Sequence, residues 1–160
     1  YRTWAEQKPS NKAVIVYDTM WGSTQEMAGA IEDGLRSEGI QVRSMRLREN
    51  HRSDIVTELL DAGAVLVGSP TLNNNVFPTV ADILSYMKGL KRKNLIGAAF
   101  GSYGWSGEAS KQISEALTAM NVEGVEPPLS VEYVPDVDAC AMCREFGASV
   151  GRQLKQRVQG

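Results

Sequence analysis

The chain of 160 residues has little of several features that mark whole classes of protein. It has only two cysteines, so it is not a secreted disulfide scaffold. It has no apolar run approaching the length of a membrane span and no secretory signal pattern. Its 17 basic and 19 acidic residues leave a formal net charge of -2, without the basic excess of a nucleic-acid-binding domain. We therefore expect a cytoplasmic protein that binds neither nucleic acid nor membrane.

Short apolar runs alternate with helical patterns along nearly the whole chain. Residues 1–11 are polar, contain proline and lack periodicity, so we expect a linker or tail there and one domain over residues 12–160. Apolar runs and helical spacing together predict the elements. The predicted strands are 13–17, 40–47, 64–68, 95–100 and 129–133, and the predicted helices are 24–37, 53–61, 76–88, 106–120 and 136–157.

Five strand–helix units with short connections predict an α/β domain with a doubly wound, five-stranded parallel sheet and helices on both faces. In such sheets a ligand binds beyond the carboxyl ends of the strands, where the strand order reverses. With the order 2-1-3-4-5, the ends of the first, third and fourth strands meet at one edge. We expect the functional site at that edge.

The loop after the first strand has the composition of a phosphate site. It enters the first predicted helix, whose start offers unpaired N–H groups and the positive end of the helix dipole. Hydroxyl groups add donors, and a glycine allows close approach of the backbone. The loop has no Lys or Arg, so we predict a terminal phosphate held by dipoles rather than by ion pairs. This phosphate loop consists of Thr19, Met20, Trp21, Gly22, Ser23 and Thr24.

The other two loops have residues suited to a flat conjugated ligand. Aromatic side chains on a glycine-rich backbone can stack on a ring, and proline, threonine and asparagine can fix a loop and satisfy polar ring or sugar atoms. Taken singly, each loop could instead only form turns and cap the core. Together, a phosphate at one end and a stacked ring at the other predict FMN. The candidate residues are Pro70, Thr71, Asn73 and Asn74 in one loop and Ser102, Tyr103, Gly104, Trp105 and Gly107 in the other.

The three loop motifs also resemble a known family. The phosphate loop resembles that of flavodoxins, which is a Ser/Thr-rich turn with glycine before the final threonine. The sequences YDTMWGST at 17–24, GSPTLNN at 68–74 and FGSYGWSG at 100–107 are similar to the flavodoxin-like domain of flavodiiron proteins, also called A-type flavoproteins. The resemblance covers the chain from about residue 11 onward. It implies a flavodoxin-like fold and an FMN domain that relays electrons.

The chain departs from the full family in one respect. The family's di-iron site, which reduces O2 or NO, needs several histidine and carboxylate ligands, and the single histidine here is His51. The resemblance therefore implies an FMN domain that receives electrons from a donor such as rubredoxin or a reductase. It would pass them to a di-iron domain of the same parent protein or of a second subunit. We do not expect this chain alone to reduce O2 or NO by the di-iron route.

Two other functions remain as alternatives at this stage. A free-standing flavodoxin-like NAD(P)H:quinone reductase would need a nicotinamide or quinone pocket, for which the sequence shows no motif. A receiver-type signalling module would need an acidic cluster and a lysine around a phosphorylated aspartate, whereas Asp18 stands alone at the end of the first strand.

A Cys-x-x-Cys pair suggests either a redox pair or half of a zinc site. Cys140 and Cys143 share one helical face with Gly147, Val150 and Leu154, so we predict that they are packing residues.

Overall fold

The part of the chain that the computed structural model describes contains seven strands and five helices. The described residues are 11–18, 23–47, 49–50, 52–59, 62–72, 75–76, 78–87, 95–103, 108–119, 122–125, 128–132 and 137–159. The strands are β1 (Lys12–Tyr17), β2 (Gln41–Arg46), β3 (Ala64–Leu72), β4 (Asn75–Val76), β5 (Ile96–Tyr103), β6 (Glu123–Gly124) and β7 (Leu129–Glu132). The helices are α1 (Ser23–Ser37), α2 (Arg52–Leu59), α3 (Pro78–Met87), α4 (Glu108–Ala119) and α5 (Val137–Gln159).

The strands form one sheet in the order β2-β1-β3-β5-β6, and β7 also pairs with β5. These pairings are parallel, while the two-residue strand β4 runs antiparallel to the end of β3. Because β6 and β7 occupy the fifth position in turn, the predicted order 2-1-3-4-5 is confirmed.

The sheet has an apolar core on each face. From Ala13 to Tyr17 the central strand β1 is an unbroken apolar run, as a strand covered on both faces requires. Its alternate residues pack into different cores, Ile15 against α1 and α5, and Val16 against α2, α3 and α4. Edge strand β2 is largely polar, and its Met45 is buried in the second core. The predicted covering of both faces is confirmed.

Helices α1 and α5 approach each other closely because glycine lies at the contact. A Cβ built at Gly34 would overlap the carbonyl oxygen of Arg144, and one built at Gly147 would overlap the carbonyl oxygen of Ile31. Backbone therefore packs directly on backbone at these two positions. The first helix, α1, and the last helix, α5, are thus in direct main-chain contact there.

The fifth position of the sheet differs from the single strand predicted at 129–133. Gly97 of β5 pairs with Gly124, and Phe100 pairs with Leu129. Three steps along β5 thus match five steps along the partner, so two extra residues interrupt the pairing. Pro128, which is exposed, lies in this connection. An interrupted edge with proline is a poor template for pairing with another chain.

Candidate cofactor site at the carboxyl edge of the sheet

The carboxyl edge of the sheet is stepped. Tyr17, the last residue of β1, lies level with Gly68 of β3 and Phe100 of β5. Beyond this level β3 continues for four residues to Leu72, and β5 continues for three to Tyr103. At the usual rise per residue, β3 extends roughly 13 Å past the end of β1. The end of β1 is therefore set back from the ends of β3 and β5, and we call this set-back part of the edge the recess; the chain continues from it toward the start of α1.

The predicted phosphate loop lies at this recess as far as the structure describes it. Ser23 and Thr24 are the first two residues of α1, and Thr24 is fully buried. The acidic residue of this first turn, Glu26, is exposed, so it does not fill the recess. A helix that begins here directs its unpaired N–H groups toward an anion. Thr19, Met20, Trp21 and Gly22 lie outside the described residues.

The other two groups of predicted site residues lie partly in strands rather than in loops. Pro70 and Thr71 belong to β3, and Ser102 and Tyr103 are the last two residues of β5. The predicted strand ends at 68 and 100 were wrong by four and three residues. These residues lie next to each other in the sheet, because Pro70 pairs with Ser102. Asn73, Asn74, Gly104, Trp105 and Gly107 lie outside the described residues.

The extension of β3 and β5 depends on a glycine. Gly101 pairs with Ser69, and a Cβ built at Gly101 would lie 2.5 Å from the carbonyl oxygen of Ser69. Since real Cβ atoms do not approach an oxygen so closely, only glycine allows the two strands to continue at this spacing. Ser69 is itself fully buried. Beside the recess, β3 and β5 are therefore paired strands rather than loops.

Asp18 follows β1 directly and is turned into the protein. It is fully buried, and its Oδ2 accepts a hydrogen bond from Thr79 Oγ1 at 2.5 Å. Its backbone N–H donates to the carbonyl of Gly68 at 3.3 Å. Thr79 is the second residue of α3, so this side chain connects the start of the phosphate loop with the helix that follows β4. Sequence analysis noted Asp18 but assigned it no role.

Arg46 provides positive charge at the same end of the sheet. It is the last residue of β2 and pairs with Tyr17, and its Nε lies 3.9 Å from Asp18 Oδ1. This Nε is buried and has no hydrogen-bond partner among the described residues. Another guanidinium nitrogen, Nη1, lies 3.8 Å from Glu49, which is exposed. The buried carboxylate of Asp18 is thus compensated, while the guanidinium retains hydrogen-bonding capacity.

The pKa of Tyr17 depends on the charges near the end of β1. Burial raises the pKa of its phenol above the ordinary value of 10.0, and the positive charge of Arg46 offsets part of that rise. The field of Arg46 therefore reaches the last residue of β1. Tyr17 and Asp18 are the two residues that precede the phosphate loop in the chain.

The described residues at this edge fit a phosphate group. They include a helix start, which favours negative charge, the buried Thr24 and a compensated carboxylate. They also include a guanidinium Nε without a hydrogen-bond partner among the described residues. The ends of β3 and β5 are paired beside them.

The Cys-x-x-Cys pair lies elsewhere and is inert. Cys143 is fully buried, and Cys140 is partly buried and packs against the same core. Both are free thiols. Burial and the neighbouring Cys140 raise the pKa of the Cys143 thiol to about 12, so it is not a reactive thiolate near neutral pH. The predicted packing role is confirmed.

Two further searches of the described ranges were negative. No group of three or more His, Cys, Asp or Glu side chains in them could hold a metal ion. None of the five helices described is long and apolar enough to cross a membrane.

Comparison with known proteins decides the family. The family model described as flavodoxin matches residues 15–147, which is most of the chain. The chain belongs to the flavodoxin family. FMN is the cofactor of this family, so the cofactor predicted from the sequence is confirmed at the level of the family.

Individual relatives narrow the assignment. The chain is 45% identical to the rubredoxin-oxygen oxidoreductase of Megalodesulfovibrio gigas over 99% of its own length and 39% of that protein. The solved structure under that name from Desulfovibrio gigas has a TM-score of 0.95, with 44% identity, over 98% of this chain and 39% of that one. The nitric oxide reductase of Moorella thermoacetica is 44% identical over 96% of this chain and 39% of the relative.

The flavodiiron protein of Giardia intestinalis has the same fold, with a TM-score of 0.93 and 29% identity over 99% of this chain and 40% of that one. The chain therefore spans about two fifths of the length of these relatives. It is a flavodoxin-family domain homologous to part of the flavodiiron proteins.

Proposed function

We propose that this chain, over residues 12–160, is the FMN-binding electron-transfer domain of a flavodiiron-type oxidoreductase. It receives electrons from a redox donor such as rubredoxin or a reductase. It passes them to a di-iron site in another domain of the same parent protein or in a second subunit. The stepped carboxyl edge carries this proposal, because β3 and β5 extend side by side past the end of β1, and α1 begins at Ser23 shortly after that end.

Each group of residues has a separate task in binding. Backbone N–H groups of the phosphate loop and the hydroxyls of Ser23 and Thr24 hold the phosphate. Trp21, Tyr103 and Trp105 stack on the ring, and glycines 104 and 107 allow the backbone to approach its edge. Pro70, Thr71, Asn73, Asn74 and Ser102 fix the local backbone and satisfy polar atoms. Bound FMN supplies the redox chemistry, since it can accept and give up one or two electrons.

We place the di-iron chemistry outside this chain. The sequence has one histidine, and the described residues contain no cluster able to hold a metal ion. The relatives whose names carry oxygen or nitric oxide reduction are more than twice as long as the segment that matches this chain. This domain therefore delivers electrons, and the terminal reaction occurs elsewhere.

The test is reconstitution followed by electron transfer. The purified chain is mixed with FMN under anaerobic conditions, and binding is followed by the loss of FMN fluorescence. The complex is then mixed with reduced rubredoxin in a stopped-flow spectrometer. We expect tight binding, rapid bleaching of the flavin and no NO consumption by the reduced domain.

Three outcomes would contradict the proposal. Colourless protein with no affinity for FMN would remove the cofactor, and NO turnover by the isolated chain would remove the division of labour. Steady-state NADH oxidation with a quinone would identify a quinone reductase instead. Riboflavin, which lacks the phosphate, is the matched control ligand for the phosphate loop.

A further inference from the structure

We propose that Asp18 and Arg46 are positioning residues for the phosphate loop, and that Arg46 acts as the distant cation that the loop itself lacks. The inference rests on the proposed FMN site and extends it to residues outside the three loop motifs. Both act through the loop rather than by touching the flavin.

The geometry places Asp18 at a junction of three elements. Asp18 is the residue directly after β1. It accepts a hydrogen bond from the Thr79 hydroxyl at the start of α3, and it lies beside Arg46 at the end of β2. The next residue in the chain is the first of the phosphate loop. The contacts of this carboxylate therefore fix the last described residue before the loop.

Burial makes the charge of this pair matter. Asp18 is fully buried, and the Arg46 side chain is 25% exposed, so water screens the two charges only partly. In the native protein the charges of the pair offset each other, and the exposed Glu49 lies 3.8 Å from Arg46 Nη1. Removing one member of the pair changes the local charge by one unit of known sign, directly before the loop in the chain. Since α1 begins five residues after Asp18, its first residue lies within about 18 Å of that charge.

Opposite substitutions are expected to have opposite effects on phosphate binding. Arg46→Gln leaves the carboxylate uncompensated and lowers the affinity for FMN by about fivefold to tenfold. Asp18→Asn leaves the guanidinium uncompensated and raises the affinity by a similar factor, while the amide oxygen can still accept the hydrogen bond from Thr79. The affinity for riboflavin should stay within about twofold of the unmodified chain in both variants, because riboflavin has no phosphate charge.

The double variant Asp18→Asn with Arg46→Gln provides the decisive check. It removes both members of the buried pair and leaves only the exposed Glu49 without Arg46, so it avoids the folding defect that a single substitution can cause. Its affinity for FMN should return to within about twofold of the starting value. Arg43→Gln, three residues earlier on β2 and 60% exposed, and Asp33→Asn, on the exposed side of α1, are the matched controls and should change neither affinity.

The experiment measures dissociation constants of FMN and riboflavin for the full chain and these variants by fluorescence titration. Opposite shifts for FMN, absent for riboflavin and cancelled in the double variant, support the inference. Shifts of the same sign, or equal shifts for both flavins, overturn it and leave FMN binding intact. If the unmodified chain binds neither flavin, the proposed function fails and the inference fails with it.

Discussion

The two ends of the strand pair β1–β2 have similar charge arrangements in different surroundings. At the amino end, Glu58 accepts from Lys12 at 2.6 Å and lies 3.9 Å from Arg43. At the carboxyl end, Asp18 accepts from Thr79 at 2.5 Å and lies 3.9 Å from Arg46. The glutamate side chain is 31% exposed and lines an open polar cavity, whereas the aspartate is fully buried.

This difference in exposure between Glu58 and Asp18 indicates which polar groups are retained for function. A solvated ion pair contributes little to stability, and its loss is easily tolerated. A buried pair gains little over apolar residues of similar volume, yet breaking it is costly. A protein selected only for stability has no need of Asp18 and Arg46 at this position. Their presence beneath the recess fits a role in preparing the loop.

The largest expected effect comes from removing the two carboxylates. Asp18→Ala should lower the free energy of unfolding by about 3 kcal/mol, because it removes the buried partner of a partly buried guanidinium and of the partly buried Thr79 hydroxyl. Glu58→Ala should cost less than about 1 kcal/mol, since water replaces the lost contacts. Urea denaturation of the two variants measures both values. Equal losses would show that burial does not distinguish the two ends.

A smaller effect is expected at the threonine donors. Thr79→Val removes the hydroxyl that donates to Asp18 and should cost about 1–2 kcal/mol. Thr57→Val is the matched control, because the Thr57 hydroxyl donates to the carbonyl of Ser53 in its own exposed helix turn. It should change stability by less than about 0.5 kcal/mol. Thermal unfolding separates the two, and a harmless Thr79→Val would show that the junction is not held by this bond.

The pKa of Tyr17 tests how far the field of Arg46 extends. This pKa is raised above 10.0 by burial and lowered in part by Arg46, so Arg46→Gln should raise it further. Arg43→Gln, three residues earlier on β2, should leave it unchanged. NMR titration of isotope-labelled tyrosine measures both. The native protein holds this proton more tightly than the unfolded chain does. The associated stability is therefore full below pH 10 and is lost as the pH rises through the native pKa.

The smallest effect concerns the amino end. Lys12→Met removes the partner of Glu58 and should lower stability by about 0.5 kcal/mol at low salt. The loss should vanish in molar salt, because the pair is partly exposed and screened. Denaturation at two salt concentrations gives the comparison. A loss that persists at high salt would indicate that the Lys12–Glu58 pair is as well shielded from water as Asp18 is.

Much of the fold could be predicted from the sequence, because its signals are local. The apolar run of β1 and the helical spacing of Met27, Ile31 and Leu35 in α1 each specify one element. Alternation of such elements then specifies a parallel sheet. The strand order 2-1-3-4-5 was favoured because it brings the special residues at three strand ends to one edge. The ligand class followed from the absence of cations in the phosphate loop together with aromatic residues in the other loops.

The features that sequence reasoning missed depend on neighbours distant in the chain. Pro70 is a turn signal, yet it continues β3, because β1 has already ended at that level and needs no N–H from β3 there. Strand β6 has two residues, too few for any pattern. The roles of Arg46 and Thr79 become visible only once β2 and α3 are placed beside Asp18. No local pattern marks a residue whose partner is decided by topology.

The glycine contact between α1 and α5 has a consequence for substitution. Where two helices touch through their main chains, no side-chain rotamer can make room for an added atom. Alanine at Gly34 would therefore force α1 and α5 apart, whereas alanine at Gly29, which faces open space on the same helix, would leave their contact unchanged.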